Sequence, residues 1–234
     1  MNILAIDTSN QVLGVAISKD GELQAEYTAN VKRNHSIGLM PAIEYVMEKS
    51  NITTDQLDRL VVAKGPGSYT GVRIGLATAK TMAWALGIPI VAISSLELLA
   101  YNVREKGVAV SPFFDARRGL VYTGLYQLDH EGMQVLEADQ NIAMETWLEQ
   151  LKRLERPVLF FSQDIDIHEA VIKENLGDLA RLPHRIDHLP RPGMLALMGN
   201  YYPETPVHQL TPNYIRLVEA EANWLKEQKP HDTN

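Results

Sequence analysis

The most constraining feature of this sequence is a glycine-rich stretch at residues 64–75, with the sequence KGPGSYTGVRIG. It follows the apolar run 60–63, which predicts a buried strand that the glycines and the proline end abruptly. Residues 72–86 are good helix formers, and Gly87 closes that run. A strand, a turn and a long helix in this order are typical of an α/β fold, so we expect the remaining strands to build a sheet around this unit.

A glycine-rich turn before a helix can bind phosphate, because the free N–H groups of a helix start attract anions. A Walker A loop ends in Gly-Lys-Ser/Thr, but here Gly71 is followed by Val72 and Arg73. A dinucleotide-binding fingerprint requires a glycine where Thr70 stands. The stretch therefore fits neither nucleotide-binding template.

Small residues recur at every fourth position after the turn, namely Gly71, Gly75, Ala79 and Ala83. In a helix this spacing stacks them on one face, where another backbone can come close. Each of two glycines inside a helix lowers its stability by about 1 kcal/mol relative to alanine, so a close contact should offset this loss. The face fits the chain's own sheet as well as a helix of a partner protein, and the sequence leaves both open.

The composition of the 234 residues, 45% hydrophobic and 22% charged, is that of a globular protein with one sizeable core or two modest ones. A net charge of -7 argues against a surface that grips nucleic acid alone, because phosphate contacts need clustered lysine and arginine. The absence of cysteine excludes disulfides and thiolate metal sites and fits a reducing cytoplasm. Since no signal peptide or membrane span is apparent, we expect a cytoplasmic protein with no membrane contact.

The first half of the chain alternates strands and helices. Strands are predicted at residues 2–8, 12–18, 23–28, 60–63 and 88–93, and helices at 35–49, 72–86 and up to residue 103. Ser94 or Ser95 can cap the last of these helices, and Pro41 either delays or kinks the first. Three strands followed by alternating helices and strands are also the order of the fold shared by actin, Hsp70 chaperones and sugar kinases.

The second half begins in the same way after a polar stretch at residues 104–107, where we place a boundary. Strands are predicted at 108–115, 120–128, 133–143 and 158–161, and helices at 145–154, 167–174 and 194–201. We expect residues 1–104 to form an N-terminal actin-like subdomain, joined by a C-terminal helix over 214–230. Residues 105–213 should form a smaller C-terminal actin-like subdomain, so that each has a mixed sheet flanked by helices.

Two other groups of polar residues are candidates for chemistry. His184 and His188 have the spacing of helical metal ligands, but Pro183 and Pro190 make that segment a loop, which disfavours a metal site. The charged turn 115–118 fits an exposed, self-paired turn better than a binding site.

Five motifs carry a resemblance to a known family. They are Asp7-Thr8-Ser9, His35-Ser36, the glycine-rich stretch, Asp115-Ala116-Arg117-Arg118-Gly119 and Tyr214-Ile215-Arg216. Together they resemble the bacterial TsaB family, formerly YeaZ, over nearly the whole chain. The resemblance implies a cytoplasmic, non-catalytic scaffold needed for N6-threonylcarbamoyladenosine (t6A) at adenosine 37 of tRNA. It implies as partners a catalytic TsaD subunit, a small TsaE ATPase and, through the complex, tRNA, with a homodimer in isolation.

The catalytic relative carries two metal-binding histidines, in Asn-His-Leu-Glu-Gly-His, beyond its own glycine loop, helix and strand. Ser95 and Leu99 stand at those positions here. A leucine cannot bind a metal and a neutral serine is a poor ligand alone, so the resemblance implies the fold without the metal site. We expect no enzyme activity of the chain alone and no tightly bound cofactor, and the resemblance is compatible with ATP or ADP at the partner interface.

The resemblance also implies a partner face on the two helices that flank the central strand. We expect this face to contain His35, Met40, Ile43, Met47, Arg73, Gly75, Ala79 and Ala83. Methionines suit a surface that adapts to more than one partner.

A stand-alone phosphotransferase or ATPase of the actin-like fold is the alternative, with Asp7 and Thr8 as nucleotide-binding residues. In actin-like proteins an aspartate of the first phosphate loop holds a metal through water. That loop usually carries a glycine where Ser9 or Asn10 stands. A hydrogen-bonded structural turn therefore fits Asp7 equally well.

Overall fold

A computed structural model describes residues 1–30 and 34–215 of the chain, which form two five-stranded sheets. The first sheet contains β1 (Asn2–Asp7), β2 (Val12–Lys19), β3 (Glu22–Asn30), β4 (Arg59–Ala63) and β5 (Ile90–Ile93). Their order is β3-β2-β1-β4-β5; β1, β2 and β3 are antiparallel, whereas β4 and β5 run parallel to β1. Asp20 and Gly21, with φ of 52° and 82°, form the tight turn between β2 and β3 that an Asp-Gly pair predicts.

The second sheet repeats this arrangement. It contains β6 (Ala109–Asp115), β7 (Leu120–Leu128), β8 (Met133–Ala143), β9 (Val158–Phe161) and β10 (Ala180–Arg181). The order is β10-β9-β6-β7-β8, in which β6, β7 and β8 are antiparallel and β9 is parallel to both β6 and β10. Each sheet thus has an antiparallel meander on one side and two parallel strands on the other.

Helices cover the faces of both sheets. They are α1 (His35–Ser50), α2 (Tyr69–Leu86), α3 (Ser95–Ala100), α4 (Met144–Lys152), α5 (Ile165–Leu176) and α6 (Pro192–Met198). The helices α1 and α2 share a core with one face of the first sheet, and α6 packs on its other face. The helices α4 and α5 pack on the second sheet.

The short helix α3 lies between the two sheets. Leu98 packs with the first sheet and α6, whereas Leu96 and Leu99 pack with Val110, Phe114 and other residues of the second sheet. A helix that is apolar on nearly all sides is stable only when it is buried, and every residue of α3 except Glu97 is buried. The helix α3 therefore holds the two sheets together.

The structure confirms the predicted actin-like α/β fold with two related mixed sheets. One segment differs from the expected division: α6 falls within residues 105–213, yet Leu195 and Ala196 pack on the first sheet. The boundary near residue 104 stays a prediction. Except for Tyr214 and Ile215, the helix predicted over 214–230 lies outside the described residues.

Pro41 does not delay α1, which begins at His35 and runs through the proline. Within residues 1–30 and 34–215 we find no helix that combines the length and the apolar character needed to cross a membrane.

Candidate partner face and inter-sheet cleft

The glycines of the central stretch fit around the turn that follows β1. A Cβ on Gly67 would lie 2.1 Å from the carbonyl oxygen of Ser9, and one on Gly71 would lie 2.2 Å from that of Thr8. A Cβ on Gly75 would come within 2.5 Å of Thr8 Oγ1. Any side chain at these positions would collide with the turn, so the spacing by four places the start of α2 directly against β1.

Hydrogen bonds secure this close approach. Thr8 Oγ1 donates to the carbonyl of Gly71 at 2.7 Å, and the backbone N–H of Ser68 donates to the carbonyl of Ser9 at 2.7 Å. Ser68 also caps α2, because its Oγ accepts from the N–H of Gly71 at 3.3 Å. The turn after β1 and the glycine loop, which we define as residues 64–68, therefore act as one unit.

This contact corrects the predicted composition of the partner face. Ala79 and Ala83 are 0% and 1% exposed, and Gly75 is buried against Thr8. The small-residue face therefore packs on the chain's own sheet, which was one of the two alternatives, and offers no surface to a partner. Sequence spacing identifies such a face but not its neighbour, because the neighbour comes from a distant part of the chain.

Asp7 and Thr8, the predicted nucleotide-binding residues, are also buried. Asp7 Oδ1 accepts from the N–H of Ser9 at 2.9 Å and from Ser9 Oγ at 2.7 Å. Burial raises the pKa of the Asp7 carboxyl, and the two hydrogen bonds from Ser9 oppose that rise. Both side chains are only 1% exposed and their hydrogen bonds hold the turn, which favours the structural alternative for Asp7, while nucleotide binding by Asp7 and Thr8 stays a prediction.

A cleft of about 510 Å³ opens between the two sheets, beside the glycine loop. It is lined by Asn10, Gln11, Gly67, Ser68, Tyr69, Thr70, Phe114, Asp115, Ala116, Arg117, Tyr122 and Asp164. Neither Asp7 nor Thr8 contributes to this lining. The lining comes from the turn after β1, the glycine loop and the start of α2 in the first half of the chain. In the second half it comes from the end of β6 and the turn that follows, from Tyr122 of β7 and from Asp164, which precedes α5.

The charged turn after β6 is bound to its own surroundings. Asp115 Oδ1 lies 2.9 Å from His168 Nε2, and Asp115 Oδ2 accepts from the N–H of Arg117 at 3.1 Å. The N–H of Asp115 donates to Asp164 Oδ2 at 2.9 Å, while burial and the nearby Asp115 charge raise the pKa of Asp164. Arg117 and Arg118 have φ of 65° and 56°, a left-handed conformation that is uncommon outside glycine and asparagine.

The exposed part of the predicted partner face lies on the outer sides of α1 and α2. A groove of about 870 Å³ runs along α1, with Met40 and Met47 on one side and Met82 of α2 on the other. Ile43 borders the groove but is only 2% exposed, so this predicted face residue belongs to the core as Ala79 and Ala83 do, whereas Met40 is 54% exposed at the edge of the groove. The groove is predominantly apolar, and flexible methionines form much of its wall.

Arg73 belongs to the same outer side and is held by two tyrosines. Its guanidinium carbon lies 4.1 Å from the centre of the Tyr69 ring. The rings of Tyr69 and Tyr214 are stacked with centres 5.5 Å apart. Sequence reasoning identified Arg73 and the Tyr214 motif separately, but no local pattern predicts their contact. His35, at the start of α1, is half-buried, with Nε2 2.7 Å from the carbonyl of Asn10.

Ser95 and Leu99 have structural contacts in place of metal ligation. Ser95 Oγ accepts from the N–H of Gly65 at 3.1 Å, and Leu99 is fully buried in the core between the sheets. His188, the other candidate ligand, accepts through Nδ1 from the N–H of Ser162 at 3.0 Å. Among residues 1–30 and 34–215, no three His, Cys, Asp or Glu side chains are grouped so that they could hold a metal ion.

Comparison with known proteins gives consistent matches. The family model described as "TsaD: tRNA N6-adenosine threonylcarbamoyltransferase" matches residues 22–224. The Bacillus subtilis "tRNA threonylcarbamoyladenosine biosynthesis protein TsaB" is 48% identical over 229 residues, which cover 98% of this chain and 100% of that protein. The Escherichia coli protein of the same name is 34% identical over 135 residues, 57% of this chain and 58% of that protein.

Solved structures agree in fold. A Pseudomonas aeruginosa protein described as similar to peptidase YEAZ has a TM-score of 0.78 at 26% identity, covering 92% of this chain and 99% of that one. A second structure, "YeaZ from Pseudomonas aeruginosa", has a TM-score of 0.75 at 24% identity, with 91% and 99% coverage.

Proposed function

The chain belongs to the TsaB family of tRNA threonylcarbamoyladenosine biosynthesis proteins, and from this premise we propose that it is a non-catalytic scaffold subunit. In this proposal it binds and activates a TsaD-type threonylcarbamoyltransferase, together with a TsaE-type ATPase. The product is t6A at adenosine 37 of tRNA. Contact with tRNA is made through the complex, since the net charge of -7 does not favour a separate RNA-binding surface.

The observation that carries the proposal is the exposed apolar surface on α1 and α2. Ile37 and Trp84 are 74% and 70% exposed, and the methionine-lined groove lies beside α1. An apolar groove with neighbouring exposed aromatic and aliphatic side chains is typical of a protein-binding surface. Its position on two helices favours a helix-to-helix contact, in which ridges of a partner helix enter the groove.

The surroundings of Ser95 and Leu99 support a non-catalytic role. Leu99 cannot reach a bound substrate, because it is enclosed between the two sheets, and Ser95 Oγ already accepts a hydrogen bond from Gly65. The chain therefore contributes shape and contacts, and the chemistry belongs to the partner.

If ATP or ADP is part of the assembly, we propose that it lies at the partner interface. Asp7 and Thr8, the residues that would bind a nucleotide in an actin-like phosphate loop, are buried and hydrogen-bonded within the chain. In the absence of the catalytic partner, we propose that the same face forms a homodimer, because it would otherwise leave apolar surface in water.

The test is reconstitution of t6A synthesis from the catalytic subunit, the ATPase, threonylcarbamoyl-adenylate and unmodified tRNA. Nucleoside analysis with and without this chain should show t6A only when the chain is present. Equal t6A formation without it would contradict the proposal.

A matched pair of variants locates the binding face. Met40→Glu places a charge at the edge of the groove, where the residue is 54% exposed, and should abolish binding of the catalytic subunit. Val135→Glu places the same charge on β8, at 56% exposure, and should leave binding unchanged. Equal effects of the two variants would exclude the α1 and α2 face.

A further inference from the structure

Asp139 connects the second sheet to the segment that begins α3. It lies on β8, and its Oδ2 accepts a hydrogen bond from Ser94 Oγ at 2.6 Å. Ser94 directly follows β5 of the first sheet and caps α3, since its Oγ also accepts from the N–H groups of Leu96 and Glu97 at 3.2 and 3.4 Å. The carboxylate of Asp139 in the second sheet thus holds Ser94, the residue that caps α3 at the end of β5 in the first sheet.

The surroundings of Asp139 are shaped for this contact. The hydroxyl of Tyr126, a residue only 2% exposed, donates to Asp139 Oδ1. Gly124 faces the same space, and a Cβ there would lie 3.2 Å from Asp139 Oδ1 and 3.1 Å from the carbonyl of Glu137. The pairing of β7 with β8 shifts register between Thr123 and Leu125, next to this glycine. A side chain at position 124 would crowd the Asp139 carboxylate, so glycine at this position, next to the register shift, leaves space for it.

Charged and titratable groups surround this contact on several sides. Glu97 of α3 accepts a hydrogen bond from the hydroxyl of Tyr202, and its negative charge lies near that of Asp139. Burial is the main cause that raises the pKa of both carboxyls, while the positive charge of Lys64 favours their ionised forms. Lys64 belongs to the glycine loop, so the electrostatic contacts of this cluster extend to that loop.

Direct hydrogen bonds continue from the α3 cap to the glycine loop. The N–H of Ser95 donates to the carbonyl of Gly65 at 3.0 Å, and the N–H of Gly65 donates to Ser95 Oγ at 3.1 Å. Gly65 in turn stands close to α2, because a Cβ added there would lie 3.3 Å from Val72 Cγ2. The side chain of Asp139 is therefore linked to the start of α2 through Ser94, Ser95 and Gly65.

We propose that Asp139 is a positioning residue, which transmits the placement of the second sheet to the glycine loop and thereby sets the position of α2. The inference rests on the proposed function, since α2 carries part of the partner face. Relative movement of the two sheets then changes the shape of that face, and a partner that binds across α2 favours one arrangement of the sheets.

Amide hydrogen exchange of the isolated chain tests the link without any partner. Asp139→Ala should accelerate exchange at Gly65 and Ser95 about tenfold, the effect of losing one hydrogen bond, while Ile172 in α5 stays unchanged. Glu137→Ala removes an exposed carboxylate from the same strand and should change none of these amides. Asp139→Asn, in which a donating N–H group replaces one of the two accepting oxygens, is used if the alanine variant does not fold, and it should accelerate exchange at the same two amides.

Unchanged exchange at Gly65 and Ser95 would overturn the inference, and so would acceleration throughout the chain, which indicates a general loss of stability. Affinity for the catalytic subunit should fall severalfold with Asp139→Ala and not with Glu137→Ala. An unchanged affinity would overturn the link to the partner face. If the unaltered chain does not stimulate t6A formation at all, the proposed function fails, whereas the exchange result still decides the role of Asp139.

Discussion

Arg73 Nε donates a hydrogen bond to the hydroxyl of Tyr214 at 2.7 Å, although the two residues are 141 positions apart. The contact joins the first turns of α2 to the last residues that the structure describes. The phenol of Tyr214 and the ring of Tyr69 hold the guanidinium in one orientation, and the first of these contacts is the main cause that raises the Arg73 pKa. An arginine that is held in place before binding loses little side-chain entropy when a partner contacts it.

We therefore expect Arg73→Ala to weaken binding of the catalytic subunit by about tenfold, the loss typical of an ordered interface arginine. Thermal unfolding should change little, because Arg73 is exposed. Isothermal titration of the two purified proteins measures the effect. Arg181→Ala is the control, since Arg181 on β10 pairs with Glu105 away from α2. An equal loss in both variants would contradict a specific role of Arg73.

Gly75→Ala should lower the free energy of unfolding by about 1–3 kcal/mol, because the added Cβ would lie 2.5 Å from Thr8 Oγ1 in a packed core. Gly38→Ala is a suitable control in α1. There the neighbour at 3.1 Å is the end of the Leu13 side chain, which can move, and alanine favours the helix by about 1 kcal/mol. Urea unfolding of both variants measures the difference. An unchanged free energy of unfolding in Gly75→Ala would show that α2 does not need this close approach.

The strands and helices are largely predictable from the sequence, because the turn residues and caps that limit them lie within the same short segments. The sequence predicts β7 and β8 at residues 120–128 and 133–143, because turn residues flank each run, and these are the bounds that the structure has. The helix α2 begins at Tyr69, three residues before the expected start at Val72. The reason is the cap by Ser68, whose hydrogen bond to the N–H of Gly71 extends the helix into the glycine-rich stretch.

The site was predicted less completely because its contacts are distant in sequence. The spacing of Gly75 and Ala79 identified one helix face, but whether that face meets the chain's own sheet depends on the position of Thr8. The bond between Ser94 and Asp139 depends on how β8 pairs with β7, and that pairing contains a register shift. Neither relationship has a pattern within one segment of the sequence.

His188 should make the stability of the chain fall in mild acid. Burial lowers its pKa from the ordinary value of 6.5, and its Nδ1 must stay unprotonated to accept from the N–H of Ser162. As the pH falls below 6.5, the unfolded chain takes up this proton before the folded chain does, so stability is lost between 6.5 and the lower folded pKa. Above 6.5 this contribution is fully present.

The measurement is urea unfolding of the wild type and of His188→Asn at pH 7.5 and at pH 5.0. The asparagine Oδ1 can replace Nδ1 as acceptor without titrating, so the variant should lose less stability on acidification. His130→Asn changes an exposed histidine and should behave as the wild type does. The same loss in all three proteins would assign the acid sensitivity to other groups.

Asp7→Asn should stabilise the chain at pH 8, because Asp7 is buried and its ionised form is unfavourable there. Burial raises the Asp7 pKa above its ordinary value of 3.8, so the folded state holds this proton more tightly than the unfolded state. The contribution to stability is therefore greatest below 3.8 and is lost as the pH rises through the folded pKa. An asparagine Oδ1 accepts the same two hydrogen bonds from Ser9 and carries no charge at any pH.

The advantage of Asp7→Asn over the wild type in urea unfolding should thus shrink between pH 8 and pH 4, as the wild-type carboxyl becomes neutral. Asp178→Asn, at an exposed position, should show no such dependence.

Asp7→Asn also separates the scaffold from the phosphotransferase alternative, which needs an ionised Asp7 beside a metal-bound nucleotide. We expect the pure wild-type chain and Asp7→Asn to show equal, background ATP turnover. Turnover by the wild type that disappears in the variant would favour a phosphotransferase, and it would also require the turn after β1 to open, because Asp7 and Thr8 are only 1% exposed.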